Sequence, residues 1–333
     1  MTFSVAFVVF FGSLVLSAIS SLVLASSLER IGTRLKLSEG LLGIMTALAA
    51  DSPEISSALV ALFTEHHELG TGVGLGFNIF NLVALLGLSA IVAGRVKIDH
   101  PVLLFNGTVA LAVTIITTAL ILKIMSPVIS VILILMLLIP YGIVSSLRSV
   151  DLARWRLPRE IKRLLCALVD EVHKSARKDK TAPHATGNEA LAIVPALASI
   201  ILGSFGLVRS ATVIGTMWHV PSIVLGIVIL ATLTGIPNLF AALHLARHNR
   251  GSAVVSEALN SNTLNLLSGI CLPALVIGVG AVSSQALFAI WWLLGMTGLV
   301  IWLTYQNHKL SRRDGKFVTM LYVLFVGIVM LWA

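Results

Sequence analysis

Apolar runs of about twenty residues or more recur along this chain, and they limit its fold more than any other feature, because an α-helix needs roughly 20 apolar residues to cross a bilayer. The first, from about Thr2 to Ala25, has no basic stretch before it and is too long for the apolar core of a signal peptide, so it reads as a retained span. Runs near 2–26, 37–64, 70–94, 101–122 and 127–147, and after a charged break near 189–208, 212–246, 251–281, 285–305 and 317–332, predict ten spans in two sets of five. Charged residues make up only 11% of the chain, against about a quarter in a soluble domain. The runs lack the two-residue alternation of a membrane β-barrel. The expectation is an all-α integral membrane protein with a five-helix unit over 1–147, a linker over 148–188 and a second five-helix unit over 189–333. A large catalytic domain outside the membrane is excluded.

The net charge of +8 would suggest nucleic acid in a soluble chain, but basic residues of membrane proteins collect in cytoplasmic loops. Loops after the odd-numbered spans hold 21 of the 23 Lys and Arg; the opposite loops hold Lys123 and Arg209. One missed span would scramble that parity. Both termini are therefore expected outside and the 148–188 linker in the cytosol, in the plasma (inner) membrane, with the lipid bilayer and not nucleic acid as partner. Ile161, Leu164, Leu165, Leu168 and Val172 share a helical face opposite Lys162, Arg163 and Glu171. This amphipathic helix lies on the inner leaflet or serves as a solvated linker. Cys166 and Cys271 are too few for a disulfide framework or a metal knuckle, and no cofactor is implied.

Residues 46–94 and 230–278 match without a gap at a constant shift of 184: Ala47, Pro53, Ala58, Leu59, Asn78, Asn81, Leu82, Ala90 and Gly94 fall on Ala231, Pro237, Ala242, Leu243, Asn262, Asn265, Leu266, Ala274 and Gly278. Five spans, an odd number, separate the copies, so the ten helices read as two inverted five-helix repeats. Pro53 and Pro237 each remove a backbone donor and disfavour helix just before them, so both spans are expected to unwind near midplane. Around the first break stand Asp51, Ser52 and Glu54; around the second, Thr232, Thr234 and Asn238; on the following spans, Asn78, Asn81, Asn262 and Asn265. All bring oxygen, the ligand atom of hard cations. Ser, Thr and Asn also serve as hydrogen-bond glue between spans, and a proline as a kink. Glu54 is a stronger signal: a carboxylate at the centre of a span costs about 2.5–3.5 kcal/mol and marks a functional position.

The segment ALAADSPEISSAL followed by GLGFNIFNLVALLGL resembles the first signature repeat of the sodium/calcium exchanger family, approximately A-x-G-T-S-x-P-E and then G-S-N-I-F-N. LATLTGIPNLFAAL with NSNTLNLLSGICLPAL is similar to the second. The resemblance implies an alternating-access antiporter exchanging Na⁺ or H⁺ for Ca²⁺ or a related cation. It implies metal ligands at Glu54 and Asn238, the positions after each proline, with the preceding pair at Ala50 and Asp51 and at Thr234 and Gly235. The paired asparagines are Asn78 and Asn81, Asn262 and Asn265; the serine of G-S-N is Phe77 in one copy and Ser261 in the other. The second acid of the family is thus an amide here, and an extra acid, Asp51, stands beside the first. Either Asp51 and Glu54 together supply the two charges a divalent ion prefers, or Asp51 does not reach the site and a proton competes with a monovalent cation for Glu54. Glu257, on one helical face with Asn260 and Ser261 near a cytosolic end, reads as a mouth or snorkelling residue.

Two histidine groups offer alternatives. Glu65, His66, His67 and Glu68 read as a solvated turn ahead of a metal site, and His244 and His248 flank Arg247 at a span end. No H-E-x-x-H, P-loop or Ser/His/Asp grouping occurs, so the chain is not expected to be an enzyme. The alternatives to calcium exchange are a monovalent cation/proton antiporter and a non-transporting membrane scaffold.

Overall fold

The computed structural model describes residues 2–35, 37, 39–97, 100–146, 189–248 and 250–332. The amphipathic pattern of 161–172, Cys166 and the whole 148–188 linker lie outside the described residues.

Helix α1 (Phe3–Arg34) is followed by α2 (Glu39–Ala50) and α3 (Ser52–Phe63). Next comes a long rod of α4 (His67–Asn81), a π-helical turn (Leu82–Leu88) and α5 (Ser89–Ala93). Strand β1 (Arg95–Lys97), α6 (His100–Ile121) and α7 (Pro127–Ser146) complete the first half. The second half has α8 (Glu189–Trp218), then α9 (Ser222–Val224), a π-helical stretch (Leu225–Leu230) and α10 (Ala231–Thr234), then α11 (Ile236–Arg247). A second rod follows, made of α12 (Gly251–Leu266), a π-helical turn (Leu267–Cys271) and α13 (Leu272–Ile277). The last elements are α14 (Ser284–Asn307), β2 (Lys309–Ser311) and α15 (Arg312–Leu331). Among the described residues seven helices are long and apolar enough to cross a membrane, eight if the pair Ser222–Thr234 and Ile236–Arg247, bent by 46°, is one span; Ser52–Phe63 and Pro127–Ile143 are shorter apolar helices.

The shift of 184 found in the motifs runs through the helix boundaries as well. α1 and α8 end at 34 and 218; α3 and α11 run 52–63 and 236–247; the two rods run 67–93 and 251–277; α6 and α14 begin at 100 and 284. Both rods stop at a glycine in the left-handed region, Gly94 (φ 80°) and Gly278 (φ 72°), where a side chain would be strained.

Two expectations need correction. The chain is not purely helical: β1 and β2 pair antiparallel, Val96 opposite Leu310, because the Gly94 turn and the capping box of Ser311 and Asp314 at the start of α15 leave two extended tripeptides side by side. Nor do the prolines unwind their spans. Asp51 (φ −82°, ψ 0°) and Gly235 (φ −76°, ψ −8°) stay near helical geometry, and Asp51 still donates to Ala47 O at 2.9 Å, Gly235 to Ala231 O at 3.2 Å. Proline removes one donor, so one carbonyl per break loses its partner. At the first break that carbonyl is Ala49 O, and the Ser52 hydroxyl donates to it at 2.6 Å.

The rods lie at the centre: 83% of the apolar window of α4–α5 is buried, against 22% for α15. α4 meets the π-helical stretch after α9 backbone to backbone. A Cβ on Gly76 would sit 2.3 Å from Ile227 O, and one on Gly226 2.5 Å from Leu69 O. Such small residues let helices approach closely in lipid, and here they pin the first half to the broken helix of the second. At the periphery α1 and α8 pack along one another, with buried Ser17 of α1 against Gly203 of α8.

Candidate functional site

Asp51, the hinge between α2 and α3, turns its carboxylate away from its own half. Its Oδ1 accepts from Asn238 Nδ2 (2.7 Å), and its Oδ2 accepts from Ser261 Oγ (2.5 Å) and Asn265 Nδ2 (3.3 Å). All three donors belong to the second half, on α11 and α12. Such charge-assisted bonds contribute about 1.5–3 kcal/mol each, which is what allows a carboxylate only 2% exposed to remain there.

Glu54 stands in the first turn of α3, where the helix dipole favours a negative charge. It is 3% exposed and its Oε2 is buried without a hydrogen bond. The Thr234 hydroxyl, which donates to Leu230 O at 2.8 Å, also approaches the Glu54 carboxyl. Glu54 and Asn265, with Ala58, Gly74, Phe77 and Gly269, line a cavity of about 10 Å³, the volume swept by one water-sized sphere. Phe77, where the motif has serine, contributes a ring to this wall instead of an oxygen. Gly269 also borders a larger cavity of about 60 Å³ that extends to His67 and Glu68.

Of the amides around these acids, Asn78, Asn81 and Asn265 have used their donors and kept their oxygens. Asn81 Nδ2 donates to Ser261 Oγ (2.8 Å), Asn265 Nδ2 also reaches Ser261 Oγ (3.2 Å), and Asn78 Nδ2 donates to Gly74 O (2.5 Å). Oδ1 of Asn78, Asn81, Asn262 and Asn265 and Oε2 of Glu54 are all buried and accept nothing. A buried polar atom without a partner costs about 1–3 kcal/mol, so a surplus of acceptors in one region suits a positively charged ligand. The atoms are carboxylate and amide oxygens, the donor set of hard cations such as Ca²⁺. No three His, Cys, Asp or Glu side chains among the described residues are placed to hold one metal ion, so the arrangement is unlike a zinc centre.

The structure thus joins Asp51, Asn81, Asn238, Ser261 and Asn265 in one hydrogen-bond network, with Glu54 and Thr234 at its edge. Asn78 bonds within its own helix, and the Asn262 amide makes no hydrogen bond. Glu65 to Glu68 form an exposed turn and α4 start, with Glu65 at φ 66°. His248 Nδ1 bonds the His244 carbonyl at 2.8 Å on an exposed helix end. Two polar features were hidden from the sequence. Phe80 fills the space beside Gly235 and meets Tyr322 edge-on at 5.9 Å, while Tyr322 bonds Thr232 at 2.8 Å. On the other side of α12, the Tyr141 hydroxyl shares its proton between Asn106 Oδ1 (2.8 Å) and Asn260 Oδ1 (2.5 Å), and Asn106 Nδ2 donates to Ser256 Oγ (2.8 Å). The only signal for the first was the glycine standing opposite Asp51 in the repeat.

The sequence profile of the family described as "Sodium/calcium exchanger protein" matches residues 5–150 and 189–331. The chain is 28% identical over 185 residues to sodium/potassium/calcium exchanger 4 of Mus musculus, covering 53% of this chain and 28% of that protein. It is 30% identical over 136 residues to the Homo sapiens protein of the same name, covering 38% and 22%. The matched stretches span less than a third of these relatives. Among solved structures, the sodium-calcium exchanger NCX_Mj soaked with Na⁺ and Sr²⁺ superposes with a TM-score of 0.62 at 19% identity, over 98% of this chain and 99% of that one. The H⁺/Ca²⁺ exchanger CAX superposes with 0.72 at 13% identity, over 98% and 86%. At these identities the likeness is one of fold. All of these proteins are named as exchangers, none as an enzyme.

Proposed function

Because the chain belongs to the sodium/calcium exchanger family, we propose that it is a secondary active antiporter that exchanges Na⁺ or H⁺ for Ca²⁺ or a related cation by alternating access. On this reading ten spans form two inverted five-helix repeats, 1–147 and 189–333, joined by a cytosolic linker, with both termini outside. The shift of 184 in the helix boundaries supports the repeat. Inversion is supported by α12, whose first residue, Gly251, packs on Lys97, beyond the end of the α4–α5 rod and opposite His67. The equivalent rods therefore run in opposite directions. The distribution of Lys and Arg supports the orientation.

Glu54 and Asp51 are the charged ligands in this account, Asn78, Asn81, Asn238, Asn262 and Asn265 the amide ligands, and Thr234 and Ser261 the hydroxyl ligands. The observation that carries it is the Asp51 carboxylate crossing to Asn238, Ser261 and Asn265, which brings two acids and a surplus of amide oxygens to the boundary between the halves. It also suggests how an amide replaces the missing acid. Asn238 and Asn265 donate to Asp51 through Nδ2; rotated by half a turn, the same side chains offer Oδ1 to an ion held by Asp51 and Glu54. Movement of one half against the other then exposes the ion to either side.

A second reading has one observation in its favour. Both Asp51 oxygens are already engaged, whereas Glu54 Oε2 is buried without a partner, a single charge better matched to a monovalent cation or a proton. Uptake of radioactive Ca²⁺ into vesicles under an imposed Na⁺ or H⁺ gradient, with Glu54→Gln beside the unaltered protein, separates the readings. Gradient-driven Ca²⁺ flux lost in Glu54→Gln supports calcium exchange. Proton flux driven by Na⁺ or K⁺ without Ca²⁺ flux supports the second reading, and no flux of any ion makes the protein a scaffold.

A further inference from the structure

Glu257 is a partly buried acid that the site described above does not use. It stands on α12 four residues before Ser261 and eight before Asn265, so the three share one stripe of the helix. Arg250, seven residues earlier at the N-cap, begins the same stripe. Glu257 Oε2 is shut off from solvent and accepts no hydrogen bond. Its carboxyl feels Asp51 as a like charge and Arg250 as an opposite one. Its neighbours Ser256 and Asn260 are tied to Asn106 and Tyr141, which fixes the wall of α6, α7 and α12 without engaging Glu257. A snorkelling carboxylate would place both oxygens in water; this one does not.

This end of the molecule is positively charged. Gly251 packs on Lys97, with Arg95, Arg247 and Arg250 close by in the chain. A cation approaching from here meets repulsion before it meets Asp51. We propose that Glu257 forms a second, outer binding position for hard cations, Na⁺ or Ca²⁺, on the path between the Arg250 end of α12 and the Asp51–Glu54 site. An ion held at Glu257 lies one helical turn from Ser261 and relieves the repulsion between the two acids, and Ser261, already bonded to Asp51, guides the transfer inward. The opposite approach, past Gly269 to His67 and Glu68, does not involve this residue. The position therefore serves one face of the membrane only.

The proposal rests on the transport reading, and its test keeps the two apart. The full-length protein is reconstituted, and Na⁺- and Ca²⁺-dependent flux is measured with the cation titrated from each face in vesicles of defined orientation, together with equilibrium binding of the same cations. Glu257→Gln is expected to raise the half-saturating concentration about tenfold from the Arg250 face, the shift that about 1.4 kcal/mol gives, while leaving the other face and equilibrium binding at the inner site within about twofold. Glu257→Asp keeps the charge on a shorter stem and is expected to shift the same face by only a few-fold; it carries the test if the glutamine variant does not fold. Equal shifts at both faces make Glu257 a ligand of the inner site or a structural residue, and no shift at either makes it inert; both overturn the proposal alone. If the unaltered protein moves no cation, the transport reading falls first and this one with it.

Discussion

The two proline breaks are built alike and furnished differently. Asp51-Ser52-Pro53-Glu54 and Gly235-Ile236-Pro237-Asn238 occupy equivalent places, with hinge residues that differ by 6° in φ and 8° in ψ. The first carries two carboxylates and a hydroxyl that satisfies the carbonyl freed by proline. The second carries neither. At its hinge the Phe80 ring lies where a side chain would go: a Cβ on Gly235 would be 2.6 Å from Cδ1 and Cε1 of that ring. Backbone geometry is thus a property of the repeat, while charge is a property of one copy. An acid can be carried by either half provided the other answers it with donors, and Asn238 is such an answer to Asp51.

The largest effect should follow from removing that charge. Asp51→Asn leaves three donors facing an amide, and cation flux in vesicles should fall about 100-fold or more, the scale of the ~3 kcal/mol that a broken buried ionic contact costs. Adding Asn238→Asp to it returns the charge to the second break, and the double variant should recover part of the flux. A double variant as inactive as the single one would mean that the two breaks are not interchangeable carriers of charge.

A smaller effect is expected where the halves touch. Gly76→Ala drives a methyl into the Ile227 carbonyl, a backbone atom with no room to yield, and should destabilise the protein by about 2–3 kcal/mol, read as a lowered midpoint of thermal unfolding in detergent. Gly235→Ala collides instead with the end of a side chain, so a loss of about 1–2 kcal/mol is expected. Phe80→Leu should largely restore it, and if it does not, the ring is not what reserves the position for glycine. The mildest change is Ser52→Ala, which strips the hydroxyl from Ala49 O and should cost about 1 kcal/mol. Ile236→Ala, at the break that has no such hydroxyl, should show no loss of this kind.

Much of the architecture was legible because a bilayer enforces it. Long apolar runs have to be helices, and Pro53, Asn78 and Asn81 recur at Pro237, Asn262 and Asn265 with no gap, which points to the repeat. The π-helical turns were not legible, since a run such as Leu82–Leu88 has no composition that distinguishes it from α-helix. Nor was the tripeptide ladder of β1 and β2, too short to have a pattern. At the candidate site the residue types could be named but their directions could not. Spacing put Asp51 near Glu54; only the fold turns it toward Asn238, Ser261 and Asn265 and leaves Glu54 beside the cavity. Proline signalled the breaks correctly and their form wrongly, because one missing donor bends a buried helix without unwinding it when neighbours hold both sides.

The most direct measurement is anomalous scattering from crystals of the full-length protein soaked in Sr²⁺, a Ca²⁺-like ion. The account predicts a peak between α3 and α12, about 2.3–2.6 Å, the usual Ca²⁺–oxygen distance, from Glu54 and the amide oxygen of Asn265, and its loss in Glu54→Gln. A peak only elsewhere, or a Glu54 carboxylate turned toward lipid with no ion near it, would contradict the account.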